Sequence, residues 1–273
     1  MSESPIKNCT AAIGTAFMAQ LLVRRIAMLP LAMPQLANSA AAAQLLDSIA
    51  LLLSLLAAMH LLRRETSLPL YARRFEPAGS APLFCLLFAA QVLLTALCSA
   101  LALLMGADTA PQALPQGAAL YIWLAARLLI APIFEERLFR GYVLSRLLPY
   151  GDGGALLVSS LLFALAHGSV WQLLPTFTSG LVLGIAALRH GLGVSICLHA
   201  INNLLAVVLL VLQQSGFAAA AQGVYILSAL LCAAAAWRRR KALPQMRLRS
   251  VNINLYLSAP LLATAALMLA LMF

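Results

Sequence analysis

Residues 117–141 read GAALYIWLAARLLIAPIFEERLFRG. An apolar run of helix length, interrupted by Arg127 and Pro132, ends on two adjacent carboxylates, Glu135 and Glu136, with Arg137 and Arg140 behind them. A charged side chain at the centre of a membrane helix costs ~3 kcal/mol on insertion scales. In a chain of only eight acidic residues, such a pair beside a membrane-length segment calls for a functional explanation. The run itself sets the fold class. With 63% hydrophobic residues and a mean hydropathy of +0.94, the chain reads as an all-α, polytopic transmembrane helical bundle. Further runs at 36–62, 82–105, 154–167, 173–188, 192–212, 222–237 and 255–273 bring the expectation to about eight spans. Segment 11–33 carries Arg24 and Arg25, with Pro30 inside it and Pro34 beyond, and both a spanning and an interfacial placement stay open. Alternating strand patterns are absent, which disfavours an outer-membrane barrel. No long polar stretch separates the runs, so residues 1–273 are expected to form one membrane-embedded domain, with its catalytic core at 119–212.

The net charge of +10 would suggest nucleic acid in a soluble protein. Here the basic residues cluster at the ends of apolar runs, where they act as orientation signals. Arg63, Arg64, Arg73, Arg74 and the run Arg238, Arg239, Arg240, Lys241 therefore mark cytoplasmic ends. Segment 106–116 holds one Asp and no Lys or Arg and is expected outside. The span that follows then carries Glu135 and Glu136 toward the cytoplasmic side. The five cysteines, Cys9, Cys85, Cys98, Cys197 and Cys232, have neither metal-type nor redox-type spacing and read as structural thiols. Residues 1–7 lack the order of a cleavable signal peptide, so insertion is expected through the spans themselves.

Between the carboxylates and the first of two intramembrane histidines lies Pro149-Tyr150-Gly151-Asp152-Gly153-Gly154, a breaker-rich turn. Folding the chain back at Gly151 places Glu135 and His167 at one depth, ~20 Å from the hairpin tip at 1.5 Å per residue. His199, which follows the turn at Gly191, lies ~12 Å deep by the same rise. The polar residues pair at i, i+4, the spacing that brings side chains together on a helix face: Glu136 with Arg140, Phe163 with His167, His199 with Asn203. An Arg140 that fixes Glu136 leaves Glu135, about 100° around the helix, turned toward the interior. Singly, each feature has a plain structural reading: a solvated helix end, a hydrogen-bonded core histidine, an interhelical asparagine. Together, polar groups on inward faces of three spans at compatible depths point to a water-activating hydrolase. A partly dry carboxylate is a base for water, and histidine and asparagine are donors to an oxyanion.

Glu135-Glu136-x-x-x-Arg140, Phe163-x-x-x-His167 and His199-x-x-x-Asn203 together resemble the three-motif signature of the CPBP family, the CAAX proteases and bacteriocin-processing enzymes, which includes the Ras-converting type of CAAX endopeptidase. The resemblance implies an intramembrane endopeptidase in which Glu135 activates water together with His167, His199 and Asn203 stabilise the oxyanion, and Glu136 and Arg140 support them. It implies a membrane-associated peptide or protein as substrate, and allows either a metal-free glutamate mechanism or a divalent metal such as zinc. His-Glu-x-x-His is absent, and a site of Glu135, His167 and His199 would draw its ligands from three helices, which favours no cofactor. Arg127 is not part of the signature. The Ala- and Leu-rich composition suggests a bacterial inner membrane. Two other classes stay open: a non-proteolytic immunity or scaffold protein, and a small transporter or proton carrier. A transporter would spread polar groups along a path, whereas here they gather at one depth.

Overall fold

A backbone surrounded by hydrocarbon has to satisfy its own hydrogen bonds, and the apolar runs accordingly form helices. The computed structural model describes residues 5–63, 74–77, 79–107, 113–214, 217–238 and 256–272. The order is α1 (Pro5–Met28), α2 (Ala40–Leu62), α3 (Ala81–Leu104), a long helix α4 (Ala118–Tyr150), α5 (Asp152–Leu165), α6 (Val170–His190), α7 (Leu192–Gln213), α8 (Ala218–Arg238) and α9 (Ala259–Ala270). Short turns at Leu29–Ala32 and Pro34–Ala37 join α1 to α2, and among the described residues there is no strand. The exterior is as apolar as the interior: Leu53, Leu97, Leu101 and Leu231 are exposed, as expected of helices hydrophobic on every side.

Among the described residues seven helices are long and apolar enough to cross a membrane, one fewer than expected, because two expected spans fall short and α1 adds one. Predicted span 154–167 holds a helix of 14 residues, α5, and predicted span 255–273 one of 12, α9. At 1.5 Å per residue these reach about 21 and 18 Å, short of a ~30 Å hydrocarbon core. Segment 11–33, left open above, belongs to a continuous helix that starts at Pro5 and runs through both arginines. Arg24 is accommodated by an ion pair with Asp47 of α2 at 3.2 Å. The proposed topology anchors Arg64, Arg73, Arg239, Arg240 and Lys241 lie outside the described residues.

The main core joins α1, α2, α4, α5 and α9 through Ile13, Phe17, Leu55, Leu62, Leu138, Phe139, Leu162, Phe163 and Leu261. Gly14 makes α9 fit. A Cβ there would collide with the backbone of Pro260 and Leu261, and in the space it leaves Thr264 donates to the Gly14 carbonyl at 2.9 Å. The α4–α5 reversal falls at Gly151, whose φ of 128° is open to glycine and strained for other residues. Tyr256 donates to the carbonyls of Tyr150 and Gly151 at 3.1 and 3.3 Å. Burial and the nearby Asp152 push its phenol pKa up, so it remains a donor. The reversal is also tied to α2, because Arg146 donates to the Leu62 carbonyl.

The α4 helix is irregular where the chemistry lies. Residues Ala126–Ile130 and Arg137–Leu144 are π-helical, on either side of a six-residue α segment Ala131–Glu136. The N–H of Ala131 reaches back five residues to the Ala126 carbonyl, and that of Ser145 to Arg140. In this register the next donor along would be residue 132, pointing at the carbonyl of Arg127. Residue 132 is proline and has no N–H, so the Arg127 carbonyl is left without its helical partner.

Candidate active site

Glu136 lies at the centre of a fully buried polar cluster. Its Oε1 accepts from Arg140 Nη1 at 3.0 Å and pairs with His199 Nδ1 at 2.9 Å, while Oε2 accepts from Ser195 Oγ at 2.6 Å. Arg140, itself buried, donates its Nη2 to the Gly180 carbonyl of α6 at 3.1 Å and lies 4.3 Å over the Phe163 ring. An isolated buried charge would be very costly; a pair is retained only with good geometry and further hydrogen bonds, and here four partners surround two charges. The i, i+4 pairing of Glu136 with Arg140 thus carries a third helix, α7, through His199 and Ser195.

Glu135 differs from its neighbour in every respect. It is half-buried and has no hydrogen bond or ion pair among the described residues. Its charge acts on His167, Arg140 and Arg127. His167 sits just past the end of α5, where Nδ1 is 2.8 Å from the Phe163 carbonyl. With Nδ1–H donating to that carbonyl, Nε2 is the nitrogen left to accept from water. One ring organises both histidines: Phe163 meets His167 edge-on at 4.8 Å and His199 at 5.7 Å, and packs on Phe139 at 5.1 Å. The third motif ends on Asn203, which donates Nδ2 to the orphaned Arg127 carbonyl at 2.9 Å. Asn203 therefore bridges α7 to the first π-helical turn and retains one amide hydrogen and its oxygen.

The four residues expected to share a site differ in burial and partners. His199 belongs to the buried Glu136–Arg140 cluster and, like Glu135, acts electrostatically on His167 in the more open part of the site; Asn203, one helical turn beyond His199, is held by the Arg127 backbone. Ser195 was missed by sequence reasoning. The signal was present, since Ser195, His199 and Asn203 continue one i, i+4 stripe along α7, but serine is ordinary in membrane helices. Arg127 projects from α4 above this site, its guanidinium 5.0 Å over the Trp123 ring, and borders a cavity of about 320 Å³ lined also by Gln44, Pro115, Ala206, Val207 and Leu210. Among the described residues no three His, Cys, Asp or Glu side chains are grouped as a metal ion would need. The donor set of Glu135, His167 and His199, as placed, does not fit a metal centre.

No curated protein and no solved structure was found to match the chain. Residues 117–205, the segment that holds all the residues of the site, match the family model described as Rce1-like, type II CAAX prenyl endopeptidase, so this third of the chain carries the CAAX protease family signature to which the three motifs point.

Proposed function

We propose that the protein is an intramembrane endopeptidase that cleaves a membrane-associated peptide or protein near the cytoplasmic face by glutamate-activated water, with residues 119–212 as its catalytic core. The observation that carries the assignment of roles is the saturation of Glu136. Both of its oxygens are engaged by Arg140, His199 and Ser195, whereas Glu135 next to it is open and electrostatically coupled to His167. Glu135 takes a proton from a water, whose other hydrogen is directed by His167 Nε2, and the hydroxide adds to the scissile carbonyl carbon. The oxyanion is met by the free amide hydrogen of Asn203 and by Nε2 of His199 when that imidazole is protonated. Collapse breaks the C–N bond, and the proton held on Glu135 passes to the leaving amine. Glu136 and Arg140 touch no reacting atom; they position His199.

The family match supports a CAAX-type protease in general. Substrate, mechanism and membrane side belong to this proposal, as does placement in a bacterial inner membrane. Peptidomics of membranes from cells with and without the gene is the test: a peptide whose processing is lost with the gene and with Glu135→Gln names the substrate, and an unchanged peptide profile counts against proteolysis. With such a peptide, Asn203→Ala should lower the turnover number by about 10² to 10³, as for a lost oxyanion donor, with little change in KM. The proposed orientation follows from the Lys/Arg asymmetry. Single cysteines at Ala113 and Asp152 should be labelled by impermeant reagent from the outside and from the cytoplasm, respectively. Outside labelling at Asp152 would overturn the cytoplasmic placement of the site.

A further inference from the structure

Two polar side chains that face one cavity, Arg127 and Gln44, have no hydrogen-bond or ion-pair partner among the described residues. Arg127 lies nine residues into α4, ~14 Å from the start of the helix at 1.5 Å per residue. Helical side chains lean toward the N terminus, and the guanidinium accordingly lies 5.0 Å over the ring of Trp123, at a level ~8 Å from that helix end. The stack covers one face of the guanidinium and leaves its edge free, with five N–H donors in a planar fork. Asp47, the acid on the neighbouring helix, is taken by Arg24 at 3.2 Å, and Glu135 acts on Arg127 only through space. In Gln44 of α2 the backbone carbonyl accepts from Ser48 at 2.8 Å, while the side-chain amide is unspent.

Both side chains border the cavity of about 320 Å³, a volume in the range of ligand pockets. The cavity lies toward the end of α4 away from Glu135. Its lining residues Ala113 and Pro115 precede α4, and Leu210 is three residues from the end of α7. The rest of the wall is mostly apolar, with Ala206 and Val207 opposite the arginine. An arginine within a membrane bundle pairs with an acid or a carbonyl, and here the protein supplies neither. The anion that a bilayer offers near a helix end is a lipid phosphate, and basic pockets between membrane helices hold headgroups.

We infer that this cavity binds the phosphodiester of one anionic phospholipid, drawn from the leaflet at the start of α4, with the Arg127 fork and the Gln44 amide as its donors. The inference goes beyond the proteolytic reading and does not rest on it. A guanidinium meets two phosphate oxygens at once, the amide of Gln44 reaches a third contact, and the apolar wall takes the glycerol and the first carbons of the chains. A zwitterionic headgroup brings its own cation beside the guanidinium and fits less well. The lipid is also linked to the site. The Arg127 carbonyl accepts from Asn203 at 2.9 Å within the π-helical turn Ala126–Ile130, so a phosphate that fixes the Arg127 side chain holds the residue that anchors Asn203.

The full chain, purified in dodecyl maltoside and stripped of lipid, is titrated with phosphatidylglycerol and followed by native mass spectrometry and by melting temperature. One phosphatidylglycerol should bind ahead of any others and raise the melting temperature, as a ligand specific to the folded state does. Arg127→Gln should weaken that first site by about tenfold or more, the worth of a hydrogen bond to a charged group. Arg127→Lys should weaken it less, because the charge stays and only the fork is lost. Ala206→Trp, which keeps Arg127 and fills the cavity, should abolish the site, and it decides the matter should Arg127→Gln fail to fold. A first site that survives both Arg127→Gln and Ala206→Trp overturns the proposal. Equal binding of diacylglycerol, which has the chains without the phosphate, overturns it as well, since the cavity would then be an apolar slot. Equal binding of phosphatidylcholine sinks the preference for an anionic lipid. Displacement of phosphatidylglycerol by inorganic phosphate, with the melting shift retained, makes the free ion the occupant and sinks the lipid assignment.

Discussion

Glu135→Gln is expected to lower cleavage of an identified peptide by about 10² to 10⁴, the usual worth of a general base, while the protein still inserts and folds. The substitution keeps shape and removes the proton acceptor. Because Glu135 contributes no hydrogen bond or ion pair among the described residues, the melting temperature in detergent should hardly move. The same assay with a tight chelator and with added zinc tests the metal-free chemistry. A glutamate mechanism is indifferent to both. Full activity in the Gln variant would sink the protease assignment, whereas chelator sensitivity reversed by zinc would sink only the metal-free mechanism.

Glu136→Ala should do the opposite. Removing the carboxylate strands Arg140 as an uncompensated buried charge and releases His199 and Ser195 from their acceptor. Breaking a buried pair from one side costs about 3–5 kcal/mol, enough to lower expression and the melting temperature markedly. Arg140→Ala should fail in the same way, by leaving Glu136 charged and short of a partner. The contrast between neighbours is the measurement that matters: loss of rate without loss of stability at Glu135, and loss of stability at Glu136. Equal stability losses at both positions would erase the distinction drawn between an open base and a saturated anchor.

The helical bundle and the pairing of Glu136 with Arg140 were legible in the sequence because both depend on spacing along one helix. Hydrophobic run length is a direct readout of hydrocarbon thickness, and i, i+4 is fixed by helix geometry. The two overcounted spans show the limit of that argument. Span 154–167 was no longer than α5 to begin with, and at 255–273 hydropathy extends past the ends of α9 into residues such as Tyr256, Leu257 and Leu271 that are apolar but not helical. What stayed hidden depends on contacts between helices. Nothing local to Glu136 announces that His199 and Ser195 will saturate it, and Phe163 looks like any core phenylalanine until it is seen between two histidines. Asn203 was visible as a candidate, but its partner, a backbone carbonyl freed by a proline 71 positions earlier in the chain, was not.

The two π-helical turns have a consequence for how such a site can arise and be lost. A π-turn is an α-helix with one residue too many, and each residue advances an α-helix by about 100°. Deleting one residue between Ala126 and Ile130 would restore a regular helix, but the wide turn already absorbs its extra residue, so Glu135 and Glu136 would keep their bearings. The same deletion between Ala131 and Phe134, where the helix is regular, has no such turn to absorb it and would rotate all that follows by about 100°, the angle that separates Glu135 from Glu136. Glu136 would then take the bearing of Glu135, so a one-residue deletion in the regular segment, far more than one in the π-turn beside it, is the change that would turn this site off.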